Sequence, residues 1–93
     1  MRLSEREKDL IKEKTGEIFG EAEIYLFGSR MHLQSGGGDI DLFVVPRSKE
    51  ALTQKRFRLA GVLEMTLQKP VDVVVARDPR RRIEQEARRG LLL

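Results

Sequence analysis

The 93-residue chain is expected to fold as one α/β domain, a mixed sheet with helices packed on one face. Three observations predict this. Ile40-Asp41-Leu42-Phe43-Val44-Val45 and Val71-Asp72-Val73-Val74-Val75 are apolar, β-branched runs of strand length. The residues between them have helical periodicity, and a helical crossover can return the chain so that the second run lies beside an earlier strand. Leucines and isoleucines near one face of each long helical stretch supply a core.

The elements follow in order. Ser4 with Glu7 is a capping-box pattern, and Leu10, Ile11 and Ile18 give a partial apolar stripe, so a first helix is expected over about 4–19. Ile24-Tyr25-Leu26-Phe27 reads as a short strand stopped by Gly28. Ser29 to Gly38 ends in three glycines and reads as a turned segment. Asp39 to Val45 is the second strand, closed by Pro46. Residues 50–67 form the central helix, with Leu52, Leu59, Leu63 and Leu67 near one face. Lys69-Pro70 turns the chain into a third strand, Val71 to Ala76. Asp78-Pro79 has the form of an N-cap followed by proline at the first helical position, which predicts a last helix over about 79–89. It stops at Gly90, and Leu91 to Leu93 either complete the sheet or meet a partner.

Composition narrows the chemistry. The absence of cysteine excludes disulfides, thiolate metal sites and cysteine nucleophiles, and fits a reducing compartment. No apolar stretch approaches the roughly 20 residues of a membrane span, and the charged amino end has no secretory apolar region, so a cytoplasmic location is expected. A domain of this size has one modest core and little room to enclose a large substrate, which favours a site shared with a partner or a second copy. The net charge of +3 hides an asymmetry: six Lys/Arg against nine Asp/Glu through Val45, then twelve against six. Aromatic side chains do not interleave with that basic half as a base-stacking platform requires, so nucleic acid is not expected as the main partner.

Three carboxylates carry the chemistry. Asp39 and Asp41 are two residues apart on a strand and share a face, while Ile40 and Leu42 turn to the other. Asp72 begins the strand that the crossover can bring alongside. Carboxylates beside a buried sheet are costly unless their charge is offset, and a hard divalent cation is the usual offset for three that converge. Magnesium in turn brings nucleotide triphosphates. Gly28-Ser29 supplies the complement, a close backbone approach with a hydroxyl and amides for phosphate, and Arg30 follows it. His32, the single histidine, reads as a surface imidazole. Arg80-Arg81-Arg82 cannot all face one way on a helix and read as a solvated surface.

These residues resemble the minimal nucleotidyltransferase (MNT) family of the DNA polymerase beta superfamily, in particular the MNT partners of HEPN proteins. Gly28 and Ser29 match that family's Gly-Ser pair, Arg30 the residue that commonly follows, Asp39 and Asp41 its Asp-x-Asp, and Asp72 its third carboxylate; Glu86 to Leu92 is similar to its closing helix, glycine and hydrophobic strand. Met31-His32-Leu33 and Gly38 depart from the usual stretch after Gly-Ser-Arg. The resemblance implies a small nucleotidyltransferase fold and a two-metal Mg2+ site on Asp39, Asp41 and Asp72. Gly28, Ser29 and Arg30 would hold the nucleotide. It implies transfer of AMP from ATP to a tyrosine hydroxyl of a HEPN-type toxin, within a homo- or hetero-oligomer. The alternative is an inactive antitoxin that neutralises its partner by forming a complex.

Overall fold

Helix α1 (Glu5–Phe19) starts with the reciprocal cap that its sequence predicts. The Glu7 N–H donates to Ser4 Oγ at 3.0 Å, and the Ser4 N–H donates to a Glu7 carboxylate oxygen at 3.0 Å. Two orphan amides at the helix start are satisfied in this way. The computed structural model describes residues 3–28 and 39–93. After α1 come β1 (Ala22–Phe27), β2 (Ile40–Pro46), α2 (Leu52–Leu67), β3 (Val71–Val75), α3 (Arg82–Ala87) and β4 (Leu91–Leu92).

The four strands form one sheet in the order β3-β2-β1-β4. β1 runs antiparallel to both β2 and β4, whereas β2 and β3 are parallel and joined by the α2 crossover. The sheet is mixed, as expected. One face carries Ile24 and Leu26, Ile40, Leu42 and Val44, and Val71, Val73 and Val75; Ile11 and Phe19 of α1 and Leu59, Leu63 and Leu67 of α2 pack onto it. The i, i+4 leucines of α2 therefore form the core stripe predicted from their spacing, with Leu52 partly buried at its start. On the opposite face, Phe43, Ala76 and Ala87 make a second, smaller cluster beneath α3. Among the described residues no helix is long and apolar enough to cross a membrane.

Strand and helix ends shift by one to three residues from expectation, Pro46 for instance closing β2 from within it, and two of the shifts have a local cause. Asp78 does not cap α3. Its carboxylate accepts the Arg80 N–H at 3.0 Å and its carbonyl accepts the Arg81 N–H at 2.9 Å, closing a separate turn. Asx turns compete with helix capping for the same side chain, and α3 begins only at Arg82, after an Arg81 N-cap with no side-chain bond. Helix α2 starts at Leu52 because Ala51 sits in the left-handed region, with φ 52° and ψ 42°, and breaks the helical run there.

Glu84 organises the β3–α3 connection. Its side chain is 1% exposed, and Oε2 accepts the N–H groups of Arg77 (2.8 Å) and Asp78 (3.0 Å) together with Nη1 of Arg81 (3.0 Å). Oε1 is buried without a hydrogen-bond partner. The sequence signal for this role was slight: an acid one residue after Ile83 and three before Ala87, on a helix otherwise read as solvated.

Candidate functional site

The register of the sheet builds the site. Phe27 of β1 stands opposite Asp41 of β2, and Asp41 stands beside Asp72 of β3. Neighbouring strands lie about 4.8 Å apart and registered residues point to the same face. Asp41 and Asp72 are therefore side by side, on the face opposite α1 and α2. Asp39 directly precedes β2, two residues before Asp41. The register and the crossover bring Asp41 and Asp72 to one face, and Asp39 lies at the same end of the sheet. Their surroundings differ: Asp41 is 8% exposed, Asp39 is half-buried and Asp72 is open to solvent.

Gly28 completes the row at the end of β1. Its φ is +97°, a region that side chains other than hydrogen rarely enter. A Cβ built there would collide with Oδ2 of Asp41. The glycine is thus needed twice, for its backbone conformation and for the space that the Asp41 carboxylate occupies. Sequence reasoning assigned Gly28 to phosphate alone, and its contact with Asp41 became visible only with the register. Ser29 and Arg30, the other two residues expected to hold a nucleotide, lie outside the described residues, as do His32 and the Gly36-Gly37-Gly38 run.

Beyond the carboxylates, the Arg88 guanidinium lies 5.4 Å from the centre of the Phe43 ring, and Phe43 is one same-face step along β2 from Asp41. Gly90 lets the chain after α3 approach β1 this closely, since a Cβ there would run into the Leu26 carbonyl and stand 2.9 Å from Phe27 Cβ. Among the described residues, no group of three His, Cys, Asp or Glu side chains closes around a point that could hold a metal. The three aspartates share one end of the sheet without forming a ready-made cage.

Comparison with known proteins gives the family. A model described as "Polymerase beta, Nucleotidyltransferase" matches residues 10–93. A crystal structure of a toxin–antitoxin complex with AMP-PNP is 31% identical, with a TM-score of 0.61, over 74% of this chain and 56% of that one. The complex of a tri-AMPylated Shewanella oneidensis HEPN toxin with its MNT antitoxin is 26% identical, with a TM-score of 0.63, over 82% and 58%. A further Shewanella oneidensis structure aligns over 95% of this chain and 68% of its own at a TM-score of 0.73; at 20% identity it speaks for the fold alone. The chain spans little more than half the length of the first two relatives. No curated protein matches it. The family match runs through both strands that carry the aspartates and through Gly28, and by it the chain belongs to the polymerase beta nucleotidyltransferase family.

Proposed function

We propose that this domain transfers AMP from ATP to a tyrosine hydroxyl of a HEPN-type toxin. In this reading Asp39, Asp41 and Asp72 hold Mg2+, and Gly28-Ser29, followed by Arg30, form the phosphate-binding turn. The observation that carries the reading is the side-by-side register of Asp41 and Asp72 with Gly28 against the Asp41 carboxylate. Two acids in register on neighbouring strands, one of them almost fully buried, set carboxylate oxygens side by side as a hard cation would require. Oxygen donors of this kind suit Mg2+, which is commonly held by one or two carboxylates together with substrate phosphates rather than by an all-protein cage. A site without three converged side chains is compatible with that mode of binding. An ion held there would supply neutralisation of phosphate charge for the displacement in which the acceptor oxygen bonds the α-phosphorus and pyrophosphate leaves. Asp41, fixed against Gly28, orients the nucleotide. Asp72, exposed on β3, would take the proton of the acceptor hydroxyl in this reading. The likeness to a toxin–antitoxin complex with AMP-PNP and to a HEPN–MNT complex with an AMPylated toxin supports both nucleotide and partner.

The second reading, an antitoxin that acts by complex formation alone, draws on the missing three-ligand cluster among the described residues. Calorimetric titration of ATP, with and without magnesium, into the wild type and into Asp39→Asn/Asp41→Asn separates the two. Magnesium-dependent binding that disappears in the folded double variant, followed by labelled AMP transfer to the helical partner, upholds the enzyme. A stable complex with that partner, with neither nucleotide binding nor transfer, upholds occlusion.

A further inference from the structure

The two edges of the sheet are finished differently. β4 pairs with β1 and closes one edge; β3 is the other. The Ile40 N–H donates to the Pro70 carbonyl (3.0 Å) and the Ala76 N–H to the Val44 carbonyl (2.9 Å). The N–H and C=O groups of the even-numbered residues of β3 therefore turn inward to β2, and the alternation of a parallel ladder turns those of the odd-numbered residues outward. Both ends of that outward row are taken by carboxylates. The Val71 N–H donates to Oε2 of Glu64 at 2.9 Å, and the Arg77 N–H to Oε2 of Glu84 at 2.8 Å. Between these two caps, the N–H groups of Val73 and Val75 have no acceptor among the described residues.

A cavity of about 340 Å³ opens on this stretch, lined by Val73, Val74 and Val75 with Arg56, Arg77 and Arg81. Arg81 already shares the Glu84 carboxylate. The Arg77 guanidinium donates to the Thr53 hydroxyl (3.0 Å), and that of Arg56 lies 4.3 Å from the centre of the Phe57 ring. Neither Arg56 nor Arg77 has a carboxylate partner among the described residues. Both stand on the α2 side of the edge, since Arg56 and Thr53 belong to α2.

We propose that the Val73–Val75 edge is a docking site for an extended acidic segment of a partner protein, which adds to the sheet as a strand next to β3. Its main chain pairs with the outward groups of Val73 and Val75, and acidic side chains at alternate positions meet Arg56 and Arg77. The open donors decide the chemical class. A phosphodiester chain would satisfy the arginines but carries no main-chain amide ladder to match a strand edge. The carboxylate caps limit the docked stretch to the segment between them. This docking makes no use of the three aspartates and stands apart from nucleotide transfer.

The test follows the amides of Val73 and Val75 by NMR in the full chain during titration with a blocked peptide of alternating Glu and Val, and separately with its Lys and Val counterpart. The acidic peptide is expected to slow hydrogen exchange at both amides. Arg56→Ala/Arg77→Ala should weaken binding at least about tenfold, from the loss of charge-assisted bonds. Arg56→Lys/Arg77→Lys should retain most of the affinity, and Lys12→Ala, on the exposed side of α1, should bind as the wild type does. Unchanged exchange at millimolar acidic peptide, an equal response to the basic peptide, or full affinity in the folded alanine pair overturns the proposal. Protection of the same amides by concentration-dependent self-association also overturns it, in favour of a second copy. Inorganic polyphosphate that shifts the arginines and displaces the peptide without protecting the amides points to a simple anion site and overturns it as well.

Discussion

Replacing Gly28 by alanine tests the geometry of the site directly, because Gly20 offers a matched control. Both glycines have positive φ, +97° at Gly28 and +76° at Gly20. An added Cβ at Gly20 meets nothing within 4 Å, whereas one at Gly28 collides with Oδ2 of Asp41. Gly20→Ala should therefore cost only the backbone strain, about 1–3 kcal/mol. Gly28→Ala should cost that and a further 1–3 kcal/mol, roughly, for forcing the buried Asp41 side chain to shift. Urea unfolding of the two variants against wild type gives the difference. Magnesium-dependent ATP titration then asks whether the excess strain is felt at the site: affinity should fall in Gly28→Ala and remain unchanged in Gly20→Ala. Equal destabilisation of the two variants, with nucleotide affinity retained in both, would refute the close approach of Gly28 and Asp41 and the use of Asp41 that rests on it.

Two further predictions concern charges that hold the fold. Glu84→Ala removes the shared acceptor of two backbone amides and the Arg81 guanidinium, and should destabilise by about 3 kcal/mol in urea unfolding; Glu84→Gln keeps an acceptor oxygen and should lose clearly less. Glu7 bonds Lys69 Nζ at 2.8 Å, tying the start of α1 to the turn before β3. The Lys69 ammonium, followed by the Ser4 N–H, holds the Glu7 carboxyl below its ordinary 4.5. Because the folded value is the lower one, the stabilisation is complete above 4.5 and disappears as pH falls through the folded value. Stability curves of wild type and Glu7→Gln should thus be separated at neutral pH, by about 0.5–1 kcal/mol, and converge in acid. Curves that stay parallel would show that the pair contributes nothing through ionisation.

Most of the sheet was legible because its strands carry their own pattern. β2 and β3 are β-branched and apolar on the α2 face, and an acid that interrupts such a run has a face assigned to it by parity alone. The leucine stripe of α2 and the Ser4–Glu7 box were equally local signals. What the sequence left open is what depends on the pairing of distant segments. Nothing in the chain near Gly28 announces that its missing side chain makes room for Asp41, because the register between β1 and β2 decides it. The Asp78-Pro79 pattern misled for a related reason. An Asx turn and an N-cap use the same side chain, and the Glu84 carboxylate, reaching back from α3 to the Arg77 and Asp78 amides, fixes the connection in the turned form.

The division of the sheet into two faces explains how so small a domain can carry these acids. Stability comes chiefly from the face beneath α1 and α2, where the largest cluster of buried side chains lies. Among the described residues the second cluster has just three buried members, Phe43, Ala76 and Ala87, and the strands run past it at the end where Asp39, Asp41 and Asp72 stand. A carboxylate at that end lies beyond the densest packing and close to Gly28 at the end of β1. Neutralising it removes no apolar volume and so opens no cavity. Asp41→Asn is nearly isosteric, so it separates site from scaffold more cleanly than substitution of any neighbour on the opposite face. Val44 and Leu42, on the same strand and fully buried, cannot be altered without cost to the core itself. Loss of nucleotide binding in a folded Asp41→Asn chain would therefore report on the chemistry of the carboxylate and not on the integrity of β2.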